Sequence, residues 1–206
     1  MNKEIIYAFR LIHILNIPHV LQHGFVHRTS SFADSKYVPI GDQTIIKIRS
    51  SRLVGNNYVI GDFIPFYFGP RSPMLYVIQH GYNGVKQYSP EELVYCIIRL
   101  DDIEKSPIRC VFTDGHALNM ITKWYDKEKL KDINRIVKYD DVYIANWVNE
   151  DDRDLKRRKE AELLLLDELP VQYIRGFVVY NEEAKERLQE YGVNLHQIAI
   201  RPNYYF

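Results

Sequence analysis

The motifs that announce most nucleotide and metal enzymes are missing from this sequence. There is no H-E-x-x-H, no G-x-G-x-x-G, no G-x-x-x-x-G-K-[ST] and no G-x-S-x-G. A zincin site, a dinucleotide-binding turn, a P-loop and a serine-hydrolase elbow therefore have no foothold. Cysteine is scarce: Cys96 in VYCIIRL and Cys110 in RCVFTD each lie in an apolar β-branched run, without C-x-x-C or Cys/His spacing. The expectation is two buried thiols in a reducing compartment, with no disulfide framework and no metal. Long apolar runs are lacking too. Arg10 and His13 interrupt MNKEIIYAFRLIHILNI and no small-residue cleavage site follows, which argues against a membrane span or signal peptide and for a cytoplasmic protein. Net charge is +0, so any grip on a polyanion must come from a local patch.

What is present is an ordinary globular balance, 46% hydrophobic and 26% charged over 206 residues, with 16 tyrosines. Rings with a polar tip suit surfaces that stack on flat ligands, although they also fill sheet faces. No repeat, low-complexity tract or Pro/Gly/Ser linker divides the chain, so one domain, 1–206, is expected. Strands are expected at 5–12, 63–68, 94–100, 108–114, 162–169, 172–180 and 197–206. Helices are expected at 18–23 (closed by Gly24), 72–81 and 182–192, with helical charge patterns at 128–138 and 151–160. Residues 30–60 read as a long, partly irregular excursion of the functional-loop kind. Strands and helices do not alternate strictly, which favours an α+β fold over a doubly wound parallel sheet.

Four stretches can carry chemistry. In FRLIHILNIPHVLQHGFVHR, Arg10 can meet a diphosphate and His13 a ribose or base; both can equally be polar edge residues. In FIPFYFGPRSPMLY, alternation puts Phe66 and Phe68 on one face and Tyr67 on the other. Tyr67 with Tyr76 can sandwich an adenine or nicotinamide ring, and Arg71 at the Gly-Pro turn can hold a phosphate; a buried aromatic strand with a solvated arginine explains the pattern as well. IKIRSSR (46–52) is basic and reads as solvated surface. In RRKEAELLLLDELP, a basic helix with Arg153, Lys156, Arg157, Arg158 and Lys159 runs into Glu162. Alternation sets Glu162 beside Leu164 and Leu166, opposite Ala161, Leu163 and Leu165. Such a carboxylate is either a salt-bridged strand end or a site. Glu160 is read as solvated surface.

Together, RLIHILNIPHVLQHG, FIPFYFGPRSPMLY, VFTDGHA, KRRKEAELLL and IAIRPNYYF occur in an order that resembles the DarT family of bacterial DNA ADP-ribosyltransferase toxins, from about residue 7 to the C-terminus. The resemblance implies an ADP-ribosyltransferase fold of the α+β class, a split mixed or antiparallel β-sheet core with surrounding helices. It implies NAD as co-substrate, transfer of ADP-ribose to a base of single-stranded DNA with release of nicotinamide, and an antitoxin carrying an ADP-ribosyl-removing macrodomain. The family's essential glutamate falls on Glu162, and its catalytic arginine on Arg49, with Arg52 the second choice. NAD contacts fall on Arg10, Ile12, His13, Asn16, Gly24, Phe66, Tyr67, Phe68, Met74 and Tyr76. DNA contacts are expected from Arg52, Arg71, His80, His116, Trp147, Arg153, Lys156 and Arg157.

The chemistry suits these residue types. Breaking the nicotinamide–ribose bond builds oxocarbenium character, as glycoside cleavage does. A carboxylate at Glu162 can stabilise that charge and orient the 2′-hydroxyl, Arg49 can polarise the acceptor base, and Glu162 can also take its proton. The acceptor must be reached outside a stack, which favours a single strand. Two other readings stay open: transfer to RNA or protein, and an inactive NAD- or nucleic-acid-binding domain.

Overall fold

A computed structural model describes residues 3–55 and 57–206 of the chain. In chain order it contains β1 (Tyr7–His13), α1 (Ile17–His23), α2 (Gln43–Arg49), the short pair β2 (Leu53–Val54) and β3 (Tyr58–Val59), β4 (Ile64–Tyr67) and α3 (Pro73–His80). Then follow β5 (Leu93–Arg99), α4 (Leu100–Lys105), β6 (Cys110–Thr113), β7 (Trp124–Asp126), α5 (Ile133–Ile136) and α6 (Tyr139–Tyr143). The chain closes with α7 (Leu155–Lys159), β8 (Glu162–Leu165), β9 (Ile174–Val179), α8 (Glu182–Glu190) and β10 (Ile198–Ile200).

The β-branched and leucine runs assemble into an eight-stranded sheet in the order β10-β9-β5-β1-β4-β8-β6-β7. Its neighbours are antiparallel except β9 and β10, which run parallel, so the expected mixed α+β sheet is what forms. The split is visible too. β1 pairs with β5 from Tyr7↔Arg99 to His13↔Leu93, but meets β4 through the single register pair Phe9↔Tyr67. Period-two alternation then sorts the core. Ala8, Ile12, Phe66, Phe68, Leu163 and Leu165 pack on one face. Phe9 and Leu11 face the other way with Tyr95, and Phe63 and Leu164 pack there with Ile60 and Ala117.

The helices carry their own start signals. Asp42 caps α2 by accepting from the Thr44 and Ile45 N–H groups at 2.7 and 3.3 Å. Ser72 caps α3 at the Leu75 N–H, with Pro73 in the first turn and Gly81 closing the helix at φ 65°. The excursion at 30–60 thus contains a capped helix and a two-stranded ribbon; Asn56, like Met1 and Asn2, lies outside the described residues.

Several boundaries differ from the sequence expectation. Residues 127–138 form a 3-10 stretch and one short α-turn rather than a helix, because Val137 turns to extended backbone after four helical residues. The basic helix is confined to Leu155–Lys159, and the four-leucine strand stops at Leu165 where Asp167 turns out to Arg109. The last strand ends at Ile200, because Pro202 has no N–H for a ladder and starts a 3-10 turn.

Candidate active site

Glu162 begins β8 and is fully buried, at 0% exposure. Tyr67 on β4 is its register partner, so both side chains leave the same face of the sheet. A lone carboxylate there would be costly, and it is not alone. Arg49, the last residue of α2, donates from Nη1 to Oε1 at 3.2 Å and from Nη2 to Oε2 at 2.9 Å. The Ala117 N–H donates to Oε1 at 3.0 Å, and the Glu162 N–H is held by Thr113 Oγ1 at 3.1 Å. A fork-to-fork arginine pair with a third donor is the geometry that makes a buried carboxylate tolerable.

The arginine reaches the site because α2 is pinned at its C-terminal end. The Ile60 N–H donates to Arg52 O at 2.8 Å, and Gly61 lies against Ser50, where an added Cβ would stand 2.8 Å from the Ser50 Cα. Burial pulls the Arg49 guanidinium down, but the Glu162 carboxylate outweighs it and holds Arg49 above the ordinary arginine value. Burial also pushes the Tyr67 phenol well up, and the carboxylates of Glu162 and Glu160 add to this. His116 sits nearby, lowered by burial against the pull of Glu162, so the imidazole is neutral at pH 7. The Met74 sulfur lies 4.0 Å from the Tyr67 hydroxyl.

A second group of expected residues gathers around the start of α3 and the chain end. The Tyr76 ring is 5.9 Å from Trp147, 4.1 Å from His80 and 5.0 Å from Phe206. Arg71, at φ 56°, sets its guanidinium 4.4 Å from the Phe206 ring centroid and keeps a buried Nε without a partner among the described residues. Arg52, Arg153 and Lys156 are exposed.

Other expected residues do not join the Arg49–Glu162–Tyr67 cluster. Arg10 departs β1 on the face opposite Glu162, donates to Pro65 O at 2.9 Å and lies over the Phe25 ring. His13 has the opposite parity and does face the Glu162 side, but its Nδ1 caps the turn at the Leu15 N–H and its ring edges onto Tyr88. Ile12, Phe66 and Phe68 are fully buried in the hydrophobic core behind the sheet, so they offer no side chain to NAD. Asn16 spends its amide on both polar groups of Val38, at 2.9 and 2.8 Å. Gly24 is required by packing: φ is 74°, and a Cβ would meet Leu169 O at 2.0 Å across the Phe25↔Leu169 bridge. Arg157 is tied to Asp154 and Asp114 at 2.7 and 2.8 Å with its side chain 10% exposed, which removes it from any DNA track. Arg158 is likewise spent on Asp141, Asp152 and Asp154.

Sequence reading missed the Ala117 N–H, Thr113, Phe206 and Tyr82, whose ring stacks on His80 at 5.4 Å. Lys159, expected as part of the basic DNA-facing helix, is instead 1% exposed and donates to Pro70 O and Val142 O at 2.8 and 2.6 Å. Glu160, expected as solvated surface, is half-buried at the end of α7, and burial pushes its carboxyl up to about 7. The VFTDGHA segment was the available signal for Thr113 and Ala117; a backbone donor leaves no mark in composition.

A family model, described as DarT, ssDNA thymidine ADP-ribosyltransferase, matches residues 9–206. This chain belongs to the DarT family. A DNA ADP-ribosyl transferase of Escherichia coli O127:H6 is 28% identical over 202 residues, covering 93% of this chain and 88% of the relative. A DNA ADP-ribosyl transferase–DNA ADP-ribosyl glycohydrolase fusion protein of Thermosipho africanus is also 28% identical, over 95% of this chain and 47% of the fusion. The fold matches a Thermus sp. 2.9 DarT in complex with ADP-ribosylated ssDNA, with a TM-score of 0.82, 24% identity, and 100% and 99% of the two chains covered. The same Thermus protein in complex with NAD+ matches at a TM-score of 0.78 and 22% identity. These likenesses establish an ADP-ribosyltransferase fold for this DarT-family chain. Among its described residues no cluster of His, Cys, Asp or Glu could hold a metal, and no helix is long and apolar enough to cross a membrane.

Proposed function

We propose that this chain acts as its family does, moving ADP-ribose from NAD to a thymine base of single-stranded DNA and releasing nicotinamide. The observation that carries the reading is the buried Arg49–Glu162 fork beside Tyr67, where both Glu162 oxygens are held in one orientation. A carboxylate held in one orientation stabilises the cationic ribosyl carbon as the bond to nicotinamide opens, and its preorganisation costs nothing at the moment of reaction. Arg49, presented over the same site, polarises the carbonyl of the incoming base. Tyr67 and Met74 border the ring-binding side. Arg71, the Tyr76–His80–Trp147–Phe206 aromatics, and the exposed Arg52, Arg153 and Lys156 supply stacking and phosphate contacts for a short single strand, which needs no net positive charge on the whole chain.

The Thermosipho relative joins a transferase to an ADP-ribosyl glycohydrolase. That pairing supports an antitoxin partner with an ADP-ribosyl-removing macrodomain, and a toxin role for this chain. DNA and NAD as substrates, with Cys96 and Cys110 both free and buried, support a cytoplasmic site of action. The test is incubation with labelled NAD and single-stranded DNA, duplex DNA or RNA, with the adduct located by mass spectrometry. Modified thymine in single-stranded DNA is expected; labelling of RNA or protein alone overturns the reading.

A further inference from the structure

The turn that follows Tyr67 puts its residues in unexpected places. Phe68 ends the strand by donating its N–H to Ala161 O at 3.2 Å, beside the Tyr67↔Glu162 pair. Gly69, Pro70 and Arg71 then lead to the Ser72 cap of α3. Glycine adopts positive φ without penalty, yet Gly69 is not the left-handed residue here. Packing requires it instead, since a Cβ there would stand 2.0 Å from Val142 O. The left-handed position is taken by Arg71, at φ 56°. Strain of this kind persists only where the surroundings over-determine the backbone, and it gathers at ligand sites and switches.

Those surroundings hold the Pro70–Arg71 peptide on both edges. Its carbonyl accepts from Lys159 Nζ at 2.8 Å, and its N–H donates to the Tyr95 hydroxyl, also at 2.8 Å. Both holders are buried, Lys159 at 1% and Tyr95 at 2% exposure. The Lys159 ammonium also donates to Val142 O at 2.6 Å, so it ties the turn to α6. An interior ammonium with carbonyls rather than a carboxylate as partners is a costly way to fix a turn. The Tyr95 hydroxyl donates onward to Tyr204 O at 3.4 Å, in the segment that carries Phe206. Phe206 is anchored in turn by its N–H on Gln79 Oε1 of α3 at 2.9 Å.

What this network fixes is one guanidinium. Arg71 is half-buried, lies 4.4 Å from the Phe206 ring centroid, and has a buried Nε without a partner among the described residues. A planar cation backed by a ring, with a donor unspent, suits a phosphate oxygen. Tyr76, His80 and Trp147 lie around the same Phe206 ring and offer surfaces on which bases stack.

We propose that Tyr95 and Lys159 are positioning residues, locking the Pro70–Arg71 peptide in its left-handed turn so that Arg71 grips a backbone phosphate of the bound single strand. This rests on the transferase reading above. Neither residue touches the strand; each acts through Arg71. Without the Tyr95 hydroxyl the Arg71 N–H loses its acceptor, the backbone relaxes toward negative φ, and the guanidinium leaves the Phe206 ring.

The experiment measures single-stranded DNA affinity by fluorescence anisotropy across a salt series, without NAD. The proteins are wild type, Arg71→Ala, Tyr95→Phe and the double variant, with NAD affinity measured by calorimetry and folding by melting scans. Arg71→Ala is expected to weaken strand binding ~10-fold. It should reduce the slope of log affinity against log salt by roughly 0.7, one phosphate contact on a single strand. Tyr95→Phe removes no charge, yet it is expected to reduce the slope by the same amount and to leave NAD affinity unchanged. The double variant is expected to bind no more weakly than Arg71→Ala, because both changes act through one contact. Lys159→Met should behave as Tyr95→Phe does; if it does not fold, Tyr95→Phe decides alone. A merely structural Tyr95 would move the melting temperature and leave the slope in place. The proposal is overturned by a folded Tyr95→Phe protein with the wild-type slope, or by losses that add in the double variant. It is equally overturned by NAD affinity falling while the strand slope holds, which would give Arg71 to the diphosphate of NAD. A wild type that neither binds nor modifies single-stranded DNA removes the transferase reading itself, a result distinct from failure of the Tyr95 variants alone.

Discussion

Tyr67 and Glu162 are register partners on the adjacent antiparallel strands β4 and β8, next to the point where β4 parts from β1. β4 meets β1 through the single pair Phe9↔Tyr67, but it pairs with β8 over four positions, from Ile64↔Leu165 to Tyr67↔Glu162, and that pairing holds Tyr67 firmly. The phenol and the carboxylate are thus mounted on rigid backbone, whereas the arginine that completes the site arrives on α2, a helix with no buried residue. The site has one wall built from the sheet and one carried by a short surface helix that is pinned at its C-terminal end.

Replacing Glu162 tests the fixed wall. Glu162→Gln keeps the size and can still accept from the Ala117 N–H, but loses the charge that faces both the ribosyl cation and Arg49. Transfer is expected to fall by ~10³-fold or more, with a native far-UV circular dichroism spectrum. A variant that retains a tenth of the wild-type rate would remove Glu162 from the chemistry.

Replacing Arg49 tests the other side. In Arg49→Met the buried Glu162 carboxylate loses its counter-charge and two of its three donors. Unfolding measurements should show a cost of about 3–5 kcal/mol. A cost below about 1 kcal/mol would mean that α2 moves off and water takes the arginine's place.

The basic segment before β8 divides in two. Arg157→Ala strips partners from Asp114 and Asp154, with the arginine side chain 10% exposed, and is expected to cost roughly 2–4 kcal/mol of stability. Lys156→Ala should leave stability within ~0.5 kcal/mol. It should weaken single-strand binding and reduce the slope of log affinity against log salt by roughly 0.7. Denaturant unfolding and a salt titration separate these outcomes, and a Lys156→Ala protein with an unchanged slope would take this residue off the DNA path.

Glu160 carries a stability cost that its neighbours do not relieve. Its carboxyl is raised from 4.5 to about 7 by burial. Its contribution is therefore full below pH 4.5 and is lost as pH rises through 7. Glu160→Gln removes the titration, so the variant should match wild type near pH 5 and be more stable at pH 8 by about 1–3 kcal/mol. Melting scans at both pH values check this, and equal stabilisation at pH 5 and 8 would show that the carboxyl titrates normally.

Gly24 offers a control on the NAD assignments. Gly24→Ala places a Cβ on Leu169 O at a φ of 74°, and a loss of at least about 2 kcal/mol is expected. If instead stability holds and NAD affinity alone drops, Gly24 belongs to the binding surface after all.

The sequence by itself determined the main strands of the sheet and their faces, but not α2, α4, α6 or β7. Alternation in FIPFYF and AELLLL separates Tyr67 and Glu162 from Phe66, Phe68, Leu163 and Leu165, and the structure keeps that division because side-chain direction in a strand follows parity alone. The order of motifs was enough to place the chain in its family. Parity also contained a warning: Arg10 and His13, three apart on one strand, face opposite sides of the sheet. What tertiary structure decided was which polar groups are already spent. Asn16, Arg157 and Lys159 look free in the sequence and are consumed by Val38, by Asp114 and Asp154, and by two backbone carbonyls. Glu160 looks solvated and is half-buried, with no hydrogen-bond or ion-pair partner for its carboxyl among the described residues. Arg49 and Glu162 are 113 residues apart and make one ion pair. Partnership and desolvation depend on long-range packing, and composition and spacing carry no record of distances across the fold.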